Sequence, residues 1–115
     1  MADLTTYTLH RRGDVPLSFD GTLLSPDNGH NIYANRRAQK ATVMSGIHVF
    51  RTKGGELLLY VGSHGYQRTH QMPQRVYRNA DALTRTQIVE ACGGSVDSAK
   101  GALTALGKQL IEEID

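Results

Sequence analysis

The sequence predicts an α+β fold, a small antiparallel β-sheet followed by two C-terminal helices, on three observations. Two β-rich apolar runs, Ile47–Thr52 and Leu57–Val61, flank the turn-forming Lys53-Gly54-Gly55-Glu56. Shorter alternating segments stand on either side of them. From Thr84 onward the apolar spacing changes from two to three and four residues, the period of a helix. A chain of 115 residues holds one core, so a single domain is expected over 1–115, with a β-rich part over 1–80 and a helical part over 81–115. An apolar share of 39% argues against disorder throughout, and five residues, Leu57 to Val61, make the longest apolar run. A membrane span needs ~20 such residues, so none is expected. Met1-Ala2-Asp3-Leu4 has neither the basic nor the apolar block of a signal peptide, and the lone Cys92 has no internal partner. The expected setting is reducing and cytoplasmic.

Taken in order, Thr5–Arg11 alternates weakly and Leu17–Leu24 carries Phe19, Leu23 and Leu24, which predicts two strands. Ser25-Pro26-Asp27-Asn28-Gly29-His30-Asn31 has turn chemistry and reads as a loop. In the central hairpin, a two-residue turn at Gly54-Gly55 sets Lys53 opposite Glu56. That register puts Phe50 across from Leu59 and His48 across from Val61 on the expected core face. Val49 across from Tyr60 and Arg51 across from Leu58 then make the other face. Arg75–Arg78 predicts one more short strand. Thr84-Arg85-Thr86-Gln87 matches a capping box that opens a helix over 84–92, closed by Gly93-Gly94. Ser95 or Asp97 caps a second helix over 96–113, whose Ala99, Ala102, Leu103, Leu106, Leu110 and Ile114 form one stripe. Gly101 and Gly107 interrupt it, at a cost of roughly 1 kcal/mol each in propensity.

Charge is divided unevenly. Residues 1–85 carry eleven Lys or Arg against six acids, a net +5, while residues 86–115 carry two against five, a net −3. A basic surface attracts phosphate backbones and releases their counterions, so the upstream part is the expected contact side. Its densest stretch is Asn35-Arg36-Arg37-Ala38-Gln39-Lys40, which places three cations and two amides beside Tyr33. Arg36, Arg37 and Lys40 are therefore candidate contacts to DNA or RNA, and Arg68, Arg75 and Arg78 extend the patch if folding gathers them.

Over residues 84–106 the chain resembles helix-turn-helix DNA-binding proteins: a short capped helix with Ile88 and Ala91, a turn at Gly93, and a second helix opening at Ser95 and locked by Ala99. The resemblance implies that Ser95, Val96, Ser98 and Lys100 face the major groove and that Arg85 approaches the backbone. Gly62-Ser63-His64 at the end of a hairpin, followed by a helix, is similar to HicA-type toxins. That similarity implies a small ribonuclease with His64 catalytic and Arg68 near phosphate. Phe19-Asp20-Gly21-Thr22-Leu23-Leu24, Val49-Phe50-Arg51-Thr52 and Arg75-Val76-Tyr77 occur in the order found in EXLDI-type proteins, which implies a small α+β architecture and no site.

Other chemistries lack their residues. The phosphatase pattern D-x-D-G-T has Ser18 where its nucleophilic Asp belongs. His10, His30, His48, His64 and His70 fall in separate segments without the spacing of a zinc site, and no phosphate-binding G-x-x-x-x-G-K-[ST] occurs, so neither metal nor cofactor is expected. Cys92 has no assignable activating base and is expected to fill space. The expected function is a non-enzymatic regulatory protein that binds nucleic acid. The alternative is a homo-oligomeric assembly module, which mates through the central hairpin's edge or the Leu103, Leu106, Leu110 stripe. A ribonuclease using His64 comes third.

Overall fold

In a computed structural model, residues 4–25, 32–62 and 73–108 are described. Among these residues seven strands are followed by a 3-10 turn at Ala80–Ala82 and two helices, the α+β order expected. The strands are β1 (Thr5–Leu9), β2 (Leu17–Leu23), β3 (Ile32–Asn35), β4 (Lys40–Val43), β5 (Gly46–Thr52), β6 (Leu57–Gly62) and β7 (Arg75–Arg78). They form one sheet in the order β3-β4-β1-β2-β5-β6-β7. Every pairing is antiparallel except that of β1 with β4.

The sheet coils. β2 pairs with β1 along five residues but with β5 only through Gly21, Thr22 and Leu23, so β5 is stepped along the strand direction. That stagger, with the natural twist of strands, carries the two ends of the sheet towards each other. The amide of Arg12, beyond β1, donates to the carbonyl of Gln74, just before β7, at 3.0 Å, and the Gln74 side chain donates to the carbonyl of Met44 beyond β4. Tyr7, Leu9, Ala41, Val43, Phe50, Leu58 and Tyr60 are buried on the resulting inner face. Tyr7, Phe19 and Phe50 cluster there, with ring centroids 4.8–5.6 Å apart. Gly21 lies between Phe19 and Leu23 on this face; a Cβ there would stand 2.3 Å from the Arg51 carbonyl and 3.0 Å from the Phe19 ring.

The outer face of β5 and β6 is covered by α1 (Arg85–Ala91) and α2 (Val96–Ala105). Val49, Leu59 and Val61 meet Ile88, Cys92, Ala99, Ala102, Leu103 and Leu106 there. Both helices start as the sequence predicts. Thr84 Oγ1 accepts from the Gln87 amide at 3.1 Å while Gln87 Oε1 accepts from the Thr84 amide at 2.8 Å, and Ser95 Oγ accepts from the Ser98 amide at 3.4 Å. Gly93 and Gly94 stop α1 at positive φ. Gly107, at φ 71°, stops α2, with Lys108 donating to the Leu103 carbonyl at 2.8 Å. The second helix thus ends near 105, short of the expected 113, and Leu110 and Ile114 lie outside the described residues.

The hairpin register differs from expectation. Gly55 takes φ 94° and donates to Thr52 at 2.9 Å, while Thr52 donates to Glu56 at 2.8 Å, which makes a three-residue turn over 53–55. Every pair slips by one: Phe50 faces Leu58, His48 faces Tyr60, Val49 faces Leu59 and Arg51 faces Leu57. Because side chains alternate, the slip puts Phe50, Leu58 and Tyr60 on the inner face and Val49, Leu59 and Val61 under the helices. Both faces of this hairpin are core.

Candidate nucleic-acid interface

The β3–β4 hairpin brings three of the predicted cations together at exposed positions. Ile32, Ala34, Ala41 and Val43 share the inner face, so alternation turns Tyr33, Asn35, Lys40 and Thr42 outward. Arg36 to Gln39 form the connecting turn, tied by the Asn35 Oδ1 acceptor to the Ala38 amide at 3.2 Å, with Gln39 left-handed at φ 51°. Arg36, Arg37 and Lys40 are all exposed, and among the described residues no ion pair involves them. Tyr33 is 63% exposed. Tyr33 aligns across the sheet with Thr42, Thr8 and Ser18, and Asn35 aligns with Lys40, Thr6 and Asp20. These two rows carry hydroxyls, one cation and one carboxylate, and Asp20 is engaged by the Thr6 hydroxyl at 2.6 Å. The helices pack over β5 and β6, on the other half of the sheet.

The remaining predicted cations are distributed elsewhere. Arg75 and Arg78 lie on β7, at the opposite end of the strand order from β3. Arg78 is committed to Glu56 by a forked pair at 2.7 and 3.0 Å, and Glu56 also accepts from the Asn79 amide at 3.1 Å. The Arg78 hydrogen bonds hold the Glu56 carboxyl below its usual range. Arg75 borders a groove of about 170 Å³ whose lining also includes Tyr77, Glu90 and Gly93. Arg85 opens α1 and is partly buried. Ser95, Val96, Ser98 and Lys100 are exposed along the start of α2, beside the acidic Asp97, while Ile88 and Ala99 are fully buried between the helices and the sheet. Arg68 and the proposed catalytic His64 lie outside the described residues.

Two surfaces expected for assembly are engaged within the chain, in part or whole. β5 is flanked by β2 over Phe50–Thr52 and β6 by β7 over Leu58–Val61, so the central hairpin lies inside the sheet along these stretches. Leu103 and Leu106 are buried in the core. The loose ends of the sheet are β3 and β7.

Two buried groups are shifted by their surroundings. Burial pushes the Tyr60 phenol up to about 12, against a smaller opposing effect of the Gln74 side chain, and burial pushes the Cys92 thiol up to about 11. A thiol so protonated is a poor nucleophile, in keeping with a packing role for Cys92.

Sequence reasoning missed Tyr33, Asn35 and Thr42 as partners of Lys40 on one face. The signal was the alternation Ile32-Tyr33-Ala34-Asn35, too short to stand out before its pairing with β4 is known. No family model, curated protein or solved structure matches the chain.

Proposed function

We propose that the protein is a non-enzymatic regulator that binds nucleic acid through the outer face and turn of the β3–β4 hairpin. One observation carries this reading: an exposed Tyr33 ring shares an outer face with Lys40 and Asn35, and at its end stand Arg36 and Arg37, which form no ion pair among the described residues. An aromatic ring offers a stacking surface to any unpaired base, worth about 1–3 kcal/mol, while neighbouring cations hold the phosphates. The combination favours a single strand, whose bases are free to stack, over a duplex, whose bases are not.

Fluorescence anisotropy with labelled single-stranded RNA, single-stranded DNA and duplex, repeated across salt, tests the proposal. Affinity falls as salt rises, and replacing Arg36 and Arg37 by Ala lowers the slope of log K against log salt by about 0.7 per lost contact on a single strand. Tyr33→Ala weakens single-strand binding by roughly 5- to 150-fold and leaves the salt slope unchanged. Absence of binding at low salt, or binding indifferent to Arg36, Arg37 and Tyr33, rejects it. Duplex binding lost only in Lys100→Ala would move the interface to the exposed start of α2, as the helix-turn-helix resemblance implies.

A further inference from the structure

The two ends of the sheet are treated differently by the sequence. β7 is preceded by Pro73, carries Arg75 and Arg78, and has the Gln74 carbonyl at its start capped by the Arg12 amide. Proline, charge and coverage are the usual means by which an edge strand is kept from pairing with another chain. Among the described residues β3 has none of them: Ile32-Tyr33-Ala34-Asn35 is uncharged and proline-free, it ends the strand order, and it exposes an aromatic ring.

Which backbone groups β3 presents follows from its neighbour. The amides of Thr6 and His10 donate to the carbonyls of Gln39 and Val43, so on the β4 segment the odd-numbered residues bond to β1. Lys40 and Thr42 therefore bond towards β3, where their partners are Asn35 and Tyr33. The N–H and C=O groups of Ile32 and Ala34 are left pointing away from the sheet.

We infer that β3 pairs antiparallel with β3 of a second copy, about a twofold axis through Tyr33 and perpendicular to the sheet. In this register Ile32 of each copy exchanges both N–H···O=C bonds with Ala34 of the other, which uses the outward-pointing groups and no others. Tyr33 then meets its own counterpart in the non-hydrogen-bonded position, where side chains approach most closely. The spacing of two residues between Ile32 and Ala34 keeps the outer faces of both copies on one side, so the two sheets become continuous. The antiparallel arrangement sends the Arg36-Arg37 turns to opposite ends of the seam, and like charges do not meet. A strand from an unrelated protein would satisfy the edge but would not require Tyr33 to face Tyr33. The inference does not depend on nucleic-acid binding.

Sedimentation equilibrium without nucleic acid, from roughly 10 μM to 1 mM as suits a small interface, should show the mass rising from 12.6 kDa towards twice that value. Ala34→Pro removes an outward N–H that β4 does not use, so the variant should keep its circular dichroism and remain monomeric. Tyr33→Cys should form a disulfide-linked dimer under a mild oxidant, because facing Cβ atoms in such a pair come close enough to bridge. Lys40→Cys, one strand further in on the same face, should not. A wild-type monomer across the whole range, a dimer that persists in a folded Ala34→Pro, or equal cross-linking of the two cysteine variants would overturn the inference. Should Ala34→Pro fail to fold, the contrast between the cysteine variants decides.

Discussion

At Gly21, a single missing side chain lets two neighbouring strands, β2 and β5, approach closely. The Arg51 carbonyl comes within 2.3 Å of where a Cβ would stand, and the Phe19 ring fills the space above. An aromatic ring laid over a strand glycine also covers backbone that water would otherwise reach. Gly21→Ala forces the β2–β5 ladder apart where it holds only three residue pairs. The expected cost is about 1–3 kcal/mol, read as a lower midpoint in urea. Nothing in Phe19-Asp20-Gly21-Thr22 announces this, since the carbonyl involved lies thirty residues downstream. A separation of 22 residues likewise hid the partner of Arg78. In the sequence it is one of several cations, and only folding brings Glu56 against it.

Among elements, those defined by local chemistry were legible and those defined by pairing were not. Arg75–Arg78 and the start of each helix follow from residues within one turn of chain. The capping box at Thr84 is of this kind, and Thr84→Ala should destabilise the protein by about 1 kcal/mol, measured by thermal or urea unfolding. The central hairpin was legible in existence but not in register. Lys53-Gly54-Gly55-Glu56 suits a two-residue turn with an attractive ion pair, yet the chain spends its positive φ at Gly55 alone and closes over three residues. The choice is made by burial. With Val49, Leu59 and Val61 under the helices, Phe50, Leu58 and Tyr60 are free to fill the inner face, so neither side of the hairpin wastes apolar surface. β3 and β4 escaped notice because four-residue strands with mostly exposed side chains carry little periodicity of their own. In the sequence the candidate surface therefore shows as a loop of cations, with its aromatic member only a neighbour.

For the molecule as a whole, β5 and β6 supply residues to both the inner core and the helix-covered core. A disturbance in either reaches the other through the same two strands. Tyr60 on the inner face and Cys92 under the helices are both held neutral, with ordinary values of 10.0 and 9.0 raised to about 12 and about 11. For each group the unfolded chain loses its proton first. The stability they contribute is complete below pH 9, and it declines as pH rises past the unfolded values and towards the folded ones. Alkaline unfolding followed by far-ultraviolet dichroism, which reports the helices, and by tyrosine absorbance, which reports the sheet, should give one coincident transition. Two separated transitions would mean that the cores yield independently.

The position of β1 has a consequence for how the chain tolerates shortening. Although it comes first in sequence among the described strands, it lies third across the sheet, clasped by β4 on one side and β2 on the other. It acts as a keystone: deleting Thr5–Leu9 would leave the β3–β4 hairpin no ladder by which to hold on to the remaining four strands. A fusion or trimming that intrudes on these few residues would thus detach the basic turn from its scaffold, and a spacer ahead of Leu4 is the safer place for any label.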